Sequence, residues 1–538
     1  MKKAYILALL ILLLSSTAFA QVIGTKNLSQ ARGYETVILT NTAFPTYNGV
    51  ALDELYLYAF TDGQGWKAIP FQIDEKGIAD AIFNSNDEFL FLAQDLGDKV
   101  SLGNWIDDTN AQENQRYEIE IVDRRDESKK GWCYLFRSTS LTAADRSTEQ
   151  YLTYVDSSQV QGNYYTIDKK KNRFYPEDIR VTSLNGGTDT DIYDRTKLRI
   201  SAIPYPGIEI SIPESLLVVE STVFLYKGPI RIEHRINLNF DIPNFDYKAT
   251  FTLRYYPYST KFSGKVELLE GWHFKLLRMS YDLNEAAAGM SFYSGDSSGL
   301  ANNNISIDGV DDTAAMNKTL AFNSPSWTLA TGAHGTMFTI NDIHYNSEPT
   351  NPEPYTQMLY YKDDASAEDP ADTGDKLSYG DHGMIFESDD LVGNATYESE
   401  TYLLAPNKTP DFAQEMFYNF NTPVMVNPRA QTYAVDVDLE QVAGRPESFR
   451  LHANYPNPFN PSTTISFEIP VSGTVQLRVY DVQGKLAATL LDQRLDAGIY
   501  RQAWNGTNDS GAMVGTGVYF YQIRTERFSD TRKMIFVK

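Results

Sequence analysis

From Ile230 to Phe240 the chain alternates strictly. Ile230, Ile232, Ile236, Leu238 and Phe240 fall on one side, with His234 among them, and Arg231, Glu233, Arg235, Asn237 and Asn239 fall on the other. Successive side chains of a strand point to opposite faces, so a run of this length predicts an antiparallel strand with one dry face. Ala249, Phe251, Leu253 and Tyr255 repeat the pattern against Thr250, Thr252, Arg254 and Tyr256. Phe262 to Leu269 and Trp272 to Tyr281 read as the next strands of the same meander. A sheet of long strands needs a second sheet over its apolar face, so a large β-sandwich is expected here.

The rest of the chain carries the same signals. With 538 residues, two or three domains are the prior, and 35 Tyr and 28 Phe favour strands over helices. Short strand-like runs at 34–40, 55–60, 68–73, 88–92, 117–122 and 132–137 suggest a first sandwich, with Asp62-Gly63-Gln64-Gly65 as a hairpin loop. Later runs fall at 327–330, 336–340, 357–361, 383–386 and 397–404. One helix is expected over Pro410 to Phe420, with Thr409 as its N-cap. The fold class read from the sequence is all-β, a set of antiparallel β-sandwiches in several domains. The expected divisions are a leader at 1–20, a first β-sandwich region at 21–150, a large β-sandwich at 151–440, a linker at 441–452 and a small Ig-like domain at 453–538.

The leader is read from Lys2 and Lys3, the apolar run Ile6 to Leu14 and the small-residue stretch ending Ala18-Phe19-Ala20. This is the pattern of a cleaved signal peptide, with Gln21 as the mature N-terminus and no membrane span afterwards. Cys133 is the single cysteine, so no disulfide can form within the chain and its cores must stand unaided. It sits in a strand-like run and reads as a buried, inert thiol. The net charge of −23 repels nucleic acid and anionic membranes.

The wet face of the central meander is the first place to look for chemistry. Arg231, Glu233, Arg235, Arg254, Tyr256, Lys265, Glu267 and His273 would line one side of a sheet. Arg suits uronate carboxylates, and His and Tyr suit proton transfer at the adjacent carbon. On this reading His273, Tyr256, Arg254 and Arg235 are catalytic candidates, and Arg231, Glu233 and Glu267 are ligand-binding ones. A solvated sheet face with cross-strand ion pairs would look the same. His234, on the apolar side, reads as a satisfied core histidine. The six histidines are scattered, which argues against zinc. Asp308, Asp311 and Asp312 offer hard oxygen ligands that would suit calcium, although Asx-rich turns have the same composition. No P-loop, dinucleotide fingerprint or G-x-S-x-G elbow is present.

The last segment carries the most specific motifs. Tyr455-Pro456-Asn457-Pro458-Phe459-Asn460-Pro461 leads into seven short β-segments, with turns at Asp481-Val482-Gln483-Gly484 and Asn505-Gly506-Thr507-Asn508, and the run ends at Lys533-Met534-Ile535-Phe536-Val537-Lys538. Together with Val479-Tyr480, Trp504 and Gly515-Thr516-Gly517-Val518-Tyr519, these blocks resemble the type IX secretion C-terminal sorting domain. They are also similar to the Ig-like domain of flagellar hook-capping proteins. The resemblance implies export across the outer membrane of a Bacteroidetes-like bacterium, with the outer-membrane secretion machinery as partner of residues 453–538. It implies no catalysis in this domain. The central strands resemble the galactose-mutarotase-like supersandwich at the level of fold alone.

Three readings of the remaining chain follow. It is a secreted or cell-surface protein binding extracellular polysaccharide or glycan, or a carbohydrate-active enzyme (a polysaccharide lyase or glycoside hydrolase), or a structural component of the envelope or matrix.

Overall fold

The computed structural model describes residues 22–537 apart from 157–158, 170–175, 206–207, 241–247, 268–272, 302–303, 312–317, 321–323, 346–355, 367–377, 392–393, 434–439, 443–445 and 509–512. The leader therefore lies outside the described residues. The fold is all-β, with antiparallel sheets packed as sandwiches. Among the described residues no helix is long and apolar enough to cross a membrane.

The first sandwich faces a five-stranded sheet against a three-stranded one. The larger sheet runs Met425–Thr432, Gln115–Asp123, Asp126–Arg137, Leu55–Thr61, Gly65–Ala68, and the smaller runs Thr36–Thr40, Glu88–Leu92, Phe71–Asp74. Val37, Phe89, Phe91, Ile119, Cys133 and Leu135 meet between them. Cys133 is fully buried, and burial pushes its thiol far up, as expected of an inert core cysteine. The hairpin at Asp62-Gly63 forms as read, with Gly63 and Gly65 both at positive φ. One strand reaches across the expected division at 150. Met425–Thr432, grouped by sequence with the second region, pairs along Gln115–Asp123 and closes the edge of the first.

The central sandwich sets a ten-stranded sheet against a six-stranded one, with a four-stranded sheet alongside. Leu217–Lys227, Ile232–Phe240, Lys248–Tyr255 and Ser259–Glu267 follow one another as the alternation requires. Ile232, Ile236, Leu238, Phe251 and Leu253 all enter the shared core. The meander then stops. The free edge of Ser259–Glu267 is taken by Asn394–Leu404, and His273–Leu283 crosses to the six-stranded sheet between Tyr193–Tyr205 and Ser378–Leu391. The helix Pro410–Asn421 is capped by Thr409, whose Oγ1 accepts from the Phe412 amide at 3.3 Å. Its apolar face, through Ala413, Met416 and Phe417, packs with Trp327, Phe338 and Leu404 of the ten-stranded sheet.

The C-terminal unit is a sandwich of two four-stranded sheets. It draws in residues read as linker: Glu440–Val442 pairs with Gly498–Trp504, and Arg450–Leu451 pairs with Thr463–Ile469. Those two strands raise the count above the seven segments expected, because each edge of one sheet needed a partner.

Candidate functional site

The wet face of the ten-stranded sheet is largely covered. Arg231 is 3% exposed. Its Nε donates to Asp74 Oδ2 at 2.8 Å, and its Nη2 reaches Asp74 and, at 2.5 Å, Glu88 Oε2. Gln72 Oε1 accepts the Ile230 and Arg231 amides at 2.9 and 2.8 Å, and its Nε2 donates to Asp74 at 2.6 Å. Asp74, Gln72 and Glu88 belong to the three-stranded sheet of the first sandwich, so this face is where the two sandwiches join.

The neighbouring candidates are tied into the same junction. Glu233, 5% exposed, accepts from Arg254 Nε at 2.9 Å and lies 3.7 Å from Arg231 Nε. Arg254 also donates to Ser263 Oγ at 3.1 Å. Burial pushes the Tyr256 phenol up to about 12 against the pull of Arg231, so it is no base near neutrality. Burial likewise holds the Asp74 carboxyl above its ordinary value, outweighing Arg231, whereas hydrogen bonds from Arg231 and Lys76 overcome burial and bring Glu88 down. Arg235 and Lys265 are exposed. The side chains of Glu267 and His273 lie outside those described, but the backbone places them on different sheets: Glu267 pairs with Asn394, and His273 with Ile203. Thus Arg231, Glu233 and Tyr256 come together as a buried joint with the half-buried Arg254 at its edge, while Arg235 faces water and His273 starts a strand of the opposing sheet.

The other sequence candidates resolve as follows. The Asp308 carboxylate accepts the Val310 amide in an Asx turn, and the loop is held by Asp363, which accepts the amides of Asp308, Gly309 and Gly380. Asp312 lies outside the described residues, and among those described no three His, Cys, Asp or Glu side chains gather as a metal site. His234 is in the core as read, yet it is not satisfied. Its Nδ1 has no partner among the described residues, its Nε2 lies 3.5 Å from Lys169 Nζ, and burial lowers its pKa to about 3.

Among the buried ionic groups that escaped the sequence reading, two are centred on Arg32 and Lys197. Arg32, with no exposed surface, donates to Glu35 at 2.6 Å, to Asp123 at 2.7 Å and to the carbonyls of Asn419 and Thr422, and so pins the helix 410–421 to the first sandwich. Lys197 Nζ lies 2.7 Å from Asp282 and 3.6 Å from Asp381, all three sealed within the protein. The only signal for either was a charged residue inside or beside an apolar run, which does not name its partner.

The C-terminal unit explains its own motifs. Asn457 Oδ1 accepts the Ile535 amide at 2.9 Å, and its Nδ2 donates to the Lys533 carbonyl at 3.3 Å. The Phe459 amide donates to Ile535 O, and the Val537 amide donates to Phe459 O, both at 3.0 Å. The buried Phe459 ring packs on Trp504 and Phe536. The Pro-rich segment is therefore a clasp over the edge of the final strand, Ser529–Phe536, rather than a mere lead-in. Asp481 Oδ1 accepts the Gln483 and Lys485 amides, Trp504 Nε1 donates to Thr507 O, and Tyr519 donates to Gly515 O. Each motif block is a turn or a lock of this sandwich.

Comparison with known proteins agrees with these locks. No curated protein matches the chain. Among solved structures the chain is similar to a polysaccharide lyase at 6% identity and TM-score 0.21, covering 72% of this chain and 47% of that one. It is also similar to dimeric latent PorU from Porphyromonas gingivalis at 9% identity and TM-score 0.15, covering 84% of this chain and 42% of that one. The chain thus spans less than half the length of either, and likeness at this level carries nothing about fold or activity. The family model of the secretion system C-terminal sorting domain matches residues 453–538. Those residues are a type IX secretion C-terminal sorting domain, and the protein that carries it is exported to a secreted or cell-surface location.

Proposed function

We propose that this is a secreted or cell-surface β-sandwich protein that binds an extracellular polysaccharide or glycan, brought to the outer-membrane secretion machinery by residues 453–538. The observation that carries the reading is the sorting domain itself, joined to a body of two locked sandwiches. Binding is favoured over lyase or hydrolase chemistry at the central face by what its residues do. Arg231, Glu233 and Arg254 are spent on one another and on Asp74, Tyr256 is buried, and His273 starts a strand of the other sheet. The net charge of −23 favours a neutral glycan over a polyanion.

The mature chain applied to an array of neutral and acidic polysaccharides should retain neutral ones and release no unsaturated uronides. A blank array would sink the binding reading, and uronide release would replace it with the lyase. Deleting 453–538 should leave the protein in the periplasm, and normal export of the shortened chain would overturn the role given to that domain.

A further inference from the structure

Where the helix Pro410–Asn421 ends against the first sandwich, a cavity of about 140 Å³ opens between Ala31, Glu35, Thr36, Tyr402, Met416, Asn419, Phe420 and Pro423. Its floor is buried (Ala31, Tyr402, Met416, Asn419), and its rim, at Glu35, Thr36, Phe420 and Pro423, is partly or fully exposed. The polar atoms facing it are unusual. Asn419 is 3% exposed, yet among the described residues neither Nδ2 nor Oδ1 has a hydrogen-bond partner, and Thr36 Oγ1 is also buried without one. A buried amide left unpaired is costly, and such a group in a native structure commonly meets water, an ion or a ligand.

The backbone of Asn419 explains why its side chain is held there. Its carbonyl accepts from Arg32 Nη1 at 3.3 Å and from the Thr422 amide at 3.1 Å, so the helical turn that carries the side chain is fixed against the first sandwich. Beside it the Glu35 carboxylate accepts from Arg32 Nη1 at 2.6 Å. The cavity thus offers a donor and an acceptor on one amide, a hydroxyl, a carboxyl group and the apolar surface of Met416, Phe420 and Pro423.

We infer that this cavity is a binding site for a single neutral sugar ring at the end of a glycan chain. The inference rests on the glycan-binding reading above and names its site. A cavity near 150 Å³ takes a ring the size of benzene, and this one is open at its rim, which leaves space for the hydroxyls of a sugar ring. A sugar ring presents adjacent hydroxyls that each donate and accept, which suits the Asn419 amide and Thr36, and an apolar C–H face, which suits Phe420. The carboxyl of Glu35 and the acidic surface of the chain exclude uronates and sulfated sugars. The site lies where both sandwiches and the helix meet, so neither sandwich holds it alone.

The test uses the mature full-length chain with maltose, cellobiose, mannobiose, xylobiose and lactose, read by saturation-transfer NMR and calorimetry. At least one should bind, and Asn419→Leu and Thr36→Val should each weaken it roughly tenfold or more, the scale of one or two lost hydrogen bonds. Asn419→Leu should melt no lower than the wild type, because the amide it removes has no partner within the protein. If a disaccharide binds and both variants bind it equally well, the cavity holds only water and the inference falls, while glycan binding survives elsewhere on the protein. If none of the five binds but a longer neutral polysaccharide is retained on the array, the terminal-ring site falls alone. If nothing binds in either assay, both readings fall.

Discussion

Arg231 is the residue on which the sequence and the structure differ most, and replacing it with methionine separates the two. As a ligand-binding arginine its loss would abolish binding and spare the fold. In the structure it does the reverse. Methionine removes the Nε bond to Asp74 at 2.8 Å and the Nη2 bonds to Asp74 and Glu88, and leaves Asp74, 3% exposed, charged, with its hydrogen bond from Gln72 and the more distant charge of Lys76. Breaking a buried ion pair from one side costs roughly 3–5 kcal/mol. Glu88 adds little, because it retains Lys76 at 3.0 Å and some access to water. The double variant Arg231→Met/Asp74→Asn removes the stranded charge and keeps an oxygen for Gln72 Nε2, so it should recover at least half of that loss. The pH dependence has a definite sign. Without Arg231 the folded-state pKa of Asp74 rises further above its unfolded value of about 3.9. The penalty is therefore fully present once pH exceeds that raised pKa and shrinks as pH falls toward 4. Urea unfolding from pH 4 to 8, with hydrogen exchange of the Phe71–Asp74 and Ile232–Phe240 amides, measures both effects. Arg235→Met, on the same strand but exposed, should stay within about 0.5 kcal/mol of the wild type. Equal losses in the single and double variants, or a penalty independent of pH, would refute the buried-joint account.

Other outcomes follow from the same structure. Burial pushes Glu35 up to about 7, against the pull of Arg32, and Asp95 up to about 6. Both are carboxyls raised above their unfolded values, so each contributes stability that is present near pH 4 and declines toward pH 7. Glu35→Gln should flatten that decline by roughly 2 kcal/mol between pH 5 and 7, seen in melting temperatures. Asn457→Ala removes two bonds of the clasp and should cost the sorting domain roughly 1–2 kcal/mol, and Phe459→Ala, which empties a packed site, roughly 3–5 kcal/mol. Calorimetry on the full chain would show the C-terminal transition shifting alone. Cys133 should resist maleimide in the native protein and label only on unfolding, and rapid native labelling would contradict its burial.

What the sequence disclosed was whatever depends on neighbours along the chain. Period-two alternation at 230–240 and 249–256 named the strands and their dry face correctly, because burial of Ile236, Leu238 and Phe251 is decided by pleat geometry alone. Thr409 as helix cap and Gly63 as hairpin glycine are likewise local chemistry. What stayed hidden was which surface covers which. The wet face of a strand reads the same whether water or a second sandwich lies over it, and only the fold brings Gln72, Asp74 and Glu88 onto Arg231. The crossing of His273–Leu283 to the other sheet was hidden for a related reason. A short connection between two strands can close a hairpin or join strands of different sheets, and its composition is the same for both.

The same reasoning bears on what the motifs of the sorting domain mean. The Tyr-Pro-Asn-Pro-Phe-Asn-Pro block looks like a linear signal, yet Phe459 faces inward, the exposed Asn457 bonds to the backbone of the last strand, and the buried Asn454 bonds to the Pro456 carbonyl and to Thr463 Oγ1. Within that block Tyr455 is 82% exposed, and Val482 of the next motif is 66% exposed. Folding alone accounts for the buried positions and leaves these two apolar side chains in water without a packing reason. A motif can therefore be specific in sequence because a small sandwich needs each lock to close. The surface that a secretion machine touches is to be sought among the few motif residues that the sandwich does not use.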